Sequence, residues 1–175
     1  MRVTPRGEIG RQCAAALLAL ALLAPAAPVT AAVTVFSQAV AEQAAEDEAI
    51  AAFYRETGFA PLWTGGTELD RDRLSALLQA VSGAPAHGLP ADRYAPGRIE
   101  AILEGIATER DRGRAEVELS RLFLRYARDV QTGVLVPSTI DADIKREVPL
   151  RSREGLLRAF SKADPATFLR ALPPS

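Results

Sequence analysis

Residues 115–133, AEVELSRLFLRYARDVQTG, limit the possible folds of this chain more than any other stretch. Leu119, Leu122, Phe123, Tyr126, Ala127 and Val130 recur at the spacing of one helical stripe. Val117 and Leu124 widen that stripe. An apolar arc this broad cannot lie with one face on a core and the rest in water, so the helix needs neighbours on more than one side. Gly133 is placed to end it. The expected architecture is therefore a bundle gathered around this helix.

The flanking sequence supplies the neighbours. SQAVAEQAAEDEAIAAFYRETG, residues 37–58, is rich in helix formers and carries Ile50, Phe53 and Tyr54 on one stripe. It reads as one helix closed by a left-handed Gly58. AVTVF, residues 32–36, reads as a loose entry segment before it. Leu74, Leu77, Leu78 and Val81 mark a second helix, capped by Thr67 or Asp70 and stopped at Ser82-Gly83. Ile99, Ile102, Leu103 and Ile106 mark a short third helix. TERDRGR, residues 108–114, reads as a solvated charge run broken by Gly113. Leu156, Leu157 and Phe160 mark another helix, and Asp164-Pro165 opens a last one through Phe168, Leu169 and Leu172. FAPLW (59–63) and VLVPSTIDADIKREVPL (134–150) read as extended and irregular, and APAHGLPADRYAPG (84–97) as tight turns. The fold class is all-α: one domain of five or six helices with proline-rich connecting loops, following a cleaved signal peptide. The expected division is 1–31 leader, 32–47 lead-in and start of the first helix, 48–172 helical domain and 173–175 tail.

The leader follows from Arg2, Arg6 and Arg11, the apolar run Cys13–Ala24, Pro25 and the small residues after it. Spanning a bilayer takes about 20 apolar residues, more than this run provides. Cleavage is expected after Val29-Thr30-Ala31; the alternative is an uncleaved anchor. Cys13 precedes the apolar run, which argues against a lipoprotein. Removing residues 1–31 takes three of 21 basic and one of 22 acidic residues, leaving a net charge of −3 and no cysteine. The mature chain is therefore expected in the periplasm, without a stable membrane span, a disulfide, a thiolate zinc site or a cysteine nucleophile. Nearly balanced charge gives no electrostatic footprint for nucleic acid.

Little chemistry is visible. His87 is the single histidine, and lacks the company of a metal site. It is a possible general base, but no serine stands in a nucleophile-elbow context, and a loop histidine donating to a backbone carbonyl is the expected role. The carboxylate pairs Asp70/Asp72, Glu116/Glu118 and Asp141/Asp143 are spaced i, i+2, which does not bring side chains together on a helix. Arg121, Arg125 and Arg128 share a helix face, either as an anion-binding row or as a solvated back with Asp129 paired to Arg125. No catalytic residue, metal ligand or cofactor site is assigned, and binding residues are left unassigned.

The order of these motifs resembles the N-terminal scaffold region of large bacterial murein L,D-transpeptidases. The likeness rests on Phe53-Tyr54 with Gly58 and Pro61-Leu62-Trp63, on Gly88-Leu89 with Asp92 and Tyr94, on Tyr126 with Asp129, and on Gly133 with Pro137. It covers residues 48–172. In that family a downstream domain carries His, then Ser-His-Gly-Cys and Arg, and its thiolate attacks the peptidoglycan tetrapeptide stem to form a thioester. That motif does not occur in these 175 residues, nor does a peptidoglycan-binding repeat. The resemblance thus implies the non-catalytic scaffold of a cross-linking enzyme, truncated or incomplete, whose partner is peptidoglycan or a catalytic L,D-transpeptidase domain. The alternatives are a free-standing periplasmic module that binds peptidoglycan or a cell-wall synthase and, further off, a small periplasmic hydrolase.

Phe53, Tyr54, Phe59 and Trp63 are expected to form the seam between the first helix and its returning segment, rather than a glycan-stacking platform. Trp63→Ala should then cost about 3–5 kcal/mol in chemical denaturation. A variant that melts like the parent but loses cell-wall binding would make the rings a platform.

Overall fold

The computed structural model describes residues 34–95, 97–132 and 151–172. The leader, the segment 133–150 with Gly133, Pro137, Asp141 and Asp143, and the tail 173–175 lie outside these residues. Among the described residues there are seven α-helices and no strand. They are α1 (Val35–Ala44), α2 (Glu48–Glu56), α3 (Glu68–Ser82), α4 (Gly97–Glu104), α5 (Glu109–Thr132), α6 (Arg153–Lys162) and α7 (Pro165–Arg170). Two short 3-10 turns, Ala84–His87 and Ala91–Arg93, link α3 to α4.

α5 is the axis, with α1, α2, α4 and α6 packed on it and α7 on α3. Leu119, Phe123, Val117, Leu124 and Ala127 are all within 2 % of complete burial. The breadth of its apolar arc is thus matched by helices on several sides, as the sequence requires. The all-α class and the single helical domain hold.

Three details depart from the sequence reading. The entry segment is not loose: α1 starts at Val35 on a capping box in which Thr34 and Ser37 exchange side chain-to-backbone bonds. Phe36 is buried within it. The stretch 37–58 is two helices, because Asp47 takes an extended backbone and its carboxylate accepts from the Ile50 amide, starting α2 afresh. This break raises the count from the expected five or six to seven. It leaves the Gln43 carbonyl to accept from Arg121 Nη2 at 2.6 Å.

The charge run 108–114 is not a solvated break either. It is the first turns of α5, capped by Thr108 and Asp111. Gly113 is buried there because α1 crosses at the closest possible approach. A Cβ at this position would lie 2.7 Å from Ala39 Cβ and 2.8 Å from the Phe36 carbonyl oxygen. Next to it the Arg112 guanidinium sits 4.1 Å over the Phe36 ring. Glycine here serves contact between helix backbones, with helical angles throughout. Gly113→Ala should push α1 off α5 and cost about 1–3 kcal/mol in thermal or urea unfolding. A variant as stable as the parent would show that the two helices do not meet this closely.

Candidate functional site

The segment that returns from α2 to α3 is irregular, yet buried side chains hold it from two sides. Its start is a Schellman turn: the Gly58 amide donates to the Arg55 carbonyl and the Phe59 amide to the Tyr54 carbonyl. Gly58 has φ of 62° and Phe59 follows at 61°, an uncommon angle for an aromatic residue. Residues 60–66 then run over α5 without a regular hydrogen-bond ladder, so their amides need other partners.

Glu116 supplies them. It is fully buried on α5, and its carboxylate accepts five donors. Oε1 takes the Leu62 amide, the Trp63 amide at 3.1 Å and the Tyr54 hydroxyl at 2.9 Å. Oε2 takes the Thr64 amide at 2.9 Å and the Thr64 hydroxyl at 2.6 Å. Ser120, one turn on, lies 2.8 Å from the Tyr54 hydroxyl and accepts from Trp63 Nε1 at 2.9 Å. Burial, reinforced by the Glu116 charge, pushes the Tyr54 hydroxyl well above its ordinary pKa. Tyr54 therefore stays protonated and remains a donor at any physiological pH.

A buried cation holds the other side of the same segment. Arg73 Nη1 donates to the Leu62 carbonyl at 3.2 Å and to Asp70 Oδ1 at 3.1 Å, and Nη2 to the Ser161 carbonyl at 2.8 Å. Asp70 in turn accepts from Thr67, closing the capping box of α3. Gly65 is squeezed between them: a Cβ would lie 2.6 Å from Asp70 Oδ2 and 2.9 Å from Pro61 Cγ.

Trp63 is thereby pressed into a ring cluster, 5.3 Å from Phe160 and 5.9 Å from Phe123, with Phe123 and Phe160 4.6 Å apart. Phe53, Tyr54 and Trp63 are each at least 98 % buried, so none offers a face to a sugar ring. Phe59 alone of the four is partly exposed.

The family model for the Scaffold domain matches residues 48–175. The chain belongs to that scaffold-domain family. Comparison with curated proteins and with solved structures gives no match. The resemblance noted in the sequence holds at this family level, and the structure of the scaffold domain shows what its motif residues do. Tyr54 and Leu62-Trp63 meet at Glu116. Tyr94 and Asp129 meet at a second lock, where the Tyr94 hydroxyl and Arg93 Nε each donate to Asp129 Oδ2 at 2.6 Å. Burial, then the hydrogen bond to Asp129, raises the Tyr94 hydroxyl above its usual pKa, so it too is a permanent donor. Tyr126 packs edge-on against Tyr94 at 5.7 Å. The helix α1 lies ahead of the matched residues and is nevertheless built into this core.

The remaining candidates scatter over the scaffold domain. Asp129 pairs with Arg93, not with Arg125 as its helical spacing suggested, because the turn Ala91–Arg93 brings a guanidinium to the buried side of α5. Arg121 is engaged at the end of α1, while Arg125 and Arg128 are exposed. His87 is exposed at the end of its turn and makes no side-chain hydrogen bond among the described residues, so the expected donation to a carbonyl is not found there. The two described i, i+2 pairs differ in burial within each pair: Glu116 and Asp70 are buried, while Glu118 is half-buried and Asp72 exposed. Among the described residues no group of three or more His, Cys, Asp or Glu could hold a metal, and no helix is long and apolar enough to cross a membrane.

The sequence reading has Glu116 only as half of an i, i+2 pair and does not single out Arg73. The available signal was a glutamate and a serine, Glu116 and Ser120, set at i, i+4, i+7 and i+11 with Phe123 and Ala127 on an otherwise apolar stripe. Glu116→Leu leaves three amides and two hydroxyls without their acceptor. It should cost about 3–5 kcal/mol in urea unfolding. A loss under about 0.5 kcal/mol would show that the carboxylate does not organise the segment.

Proposed function

We propose that this scaffold domain is the non-catalytic frame of a periplasmic L,D-transpeptidase-like protein active in peptidoglycan cross-linking. Export by the N-terminal leader is part of that reading. The single observation that carries it is the Scaffold-domain match over residues 48–175, on residues whose order resembles the scaffold region of murein L,D-transpeptidases. The physics is compatible. The buried carboxylates of Glu116 and Asp129 are occupied by protein donors, so neither is free to act on a substrate. What such a domain can offer is stiffness. Acyl transfer from a thiolate depends on positioning within about 1 Å, and a frame that does not deform helps to hold a catalytic domain against its polymeric substrate.

The test is made in the host. Deleting the codons for residues 48–172, in frame, should lower the share of muropeptides cross-linked by L,D-transpeptidation at least several-fold, with the wall otherwise assembled. An unchanged share of those cross-links would remove the proposal.

A further inference from the structure

A groove of about 520 Å³ opens between the end of α1 and the outer face of α2. That volume is within the range of small-molecule sites. Ala41, Ala45 and Ala51 line it together with Phe59, over the fully buried Ala44. Glu48 and Arg55 line it too, two helical turns apart on α2. Seven residues of helix separate their backbones by about 10 Å.

The charges on α2 divide by face. Those toward α6 are paired: Asp47 with Arg153 at 2.5 Å and Glu56 with Arg158 at 2.5 Å. Glu48 and Arg55, on the groove side, are exposed and have neither a hydrogen bond nor an ion pair from their side chains among the described residues. Phe59 is the second independent sign. Its φ of 61° costs about 1 kcal/mol for a residue with a Cβ, and it holds the ring at the groove rather than over solvent.

We propose that this groove binds a short, extended peptide with alanine-sized side chains, a free amine and a free carboxylate. The amine meets Glu48, the carboxylate meets Arg55 through the guanidinium fork, and the methyl groups lie on the alanine lining beside Phe59. The span fits: three extended residues cover about 10 Å. Ala44 under the lining is fully buried, so the groove does not deepen to take a larger side chain. The inference stands on the groove alone and does not depend on the peptidoglycan reading.

The probe is trialanine, titrated into the full chain and followed through backbone amide shifts. Saturable shifts at Ala45, Ala51 and Phe59 are expected. Arg55→Ala should weaken binding at least tenfold, as should amidation of the peptide's carboxylate, and the two changes together should cost no more than either alone. Glu48→Gln and acetylation of the amine should behave in the same way. Ala41→Leu, which fills the groove from an exposed helical position, should abolish binding with the melting temperature unchanged. Absent shifts, shifts confined to other parts of the chain, or an Arg55→Ala effect that simply adds to amidation would each overturn the assignment.

Discussion

The carboxylate of Glu116 is the constraint on which the rest of the molecule depends. A charge with no exposed surface is tolerated only when its lone pairs are filled, and here three consecutive amides and two hydroxyls fill them. The consequence is geometric. Residues 62–64 have no helix or strand to fix them, yet each is fixed relative to α5. Once Trp63 is held there, its ring and Nε1 have one place to go, against Phe123, Phe160 and Ser120. The ring cluster then positions α6, and through Phe168 it reaches α7.

Buried ionic groups recur at the joints of this bundle. Arg73 ties the same segment to α6 through the Ser161 carbonyl, and Asp129 ties the turn before α4 to α5. Such groups contribute less to net stability than well-packed apolar side chains would, but removing one partner leaves an uncompensated buried charge. Their value here is in register. Apolar surfaces alone let helices slide, whereas a guanidinium matched to one carbonyl does not. A domain that acts as a frame benefits from joints of this kind, placed where the connecting segments are irregular.

Much of the fold is legible in the sequence. The stripe of α5, the burial of Leu77, Val81 and Phe160, the left-handed Gly58 and the Asp164-Pro165 start of α7 follow from periodicity and capping. What is not legible has a common cause: it depends on which element lies across from a residue. Gly113 looks like a helix breaker until α1 is seen against it. Asp47 is one acid in a run of three, and only its extended backbone makes it a cap. Glu116 looks like half of a surface pair until the 62–64 amides arrive from 52 to 54 residues away. Of the motif residues that suggest the scaffold family, Tyr54, Leu62, Trp63, Tyr94 and Asp129 are partners in such long-range contacts. No local rule signals the groove on α2, since unpaired charges and alanines are ordinary on a helix surface.

The central claim is that Glu116 clamps an irregular segment as firmly as the helices around it. Native-state hydrogen exchange at the amides of Leu62, Trp63 and Thr64 tests this directly. The account predicts that they exchange only through global unfolding, with the same free energy as the slowest amides of α5. Exchange at the rate of an open loop, while α5 stays protected, would contradict it.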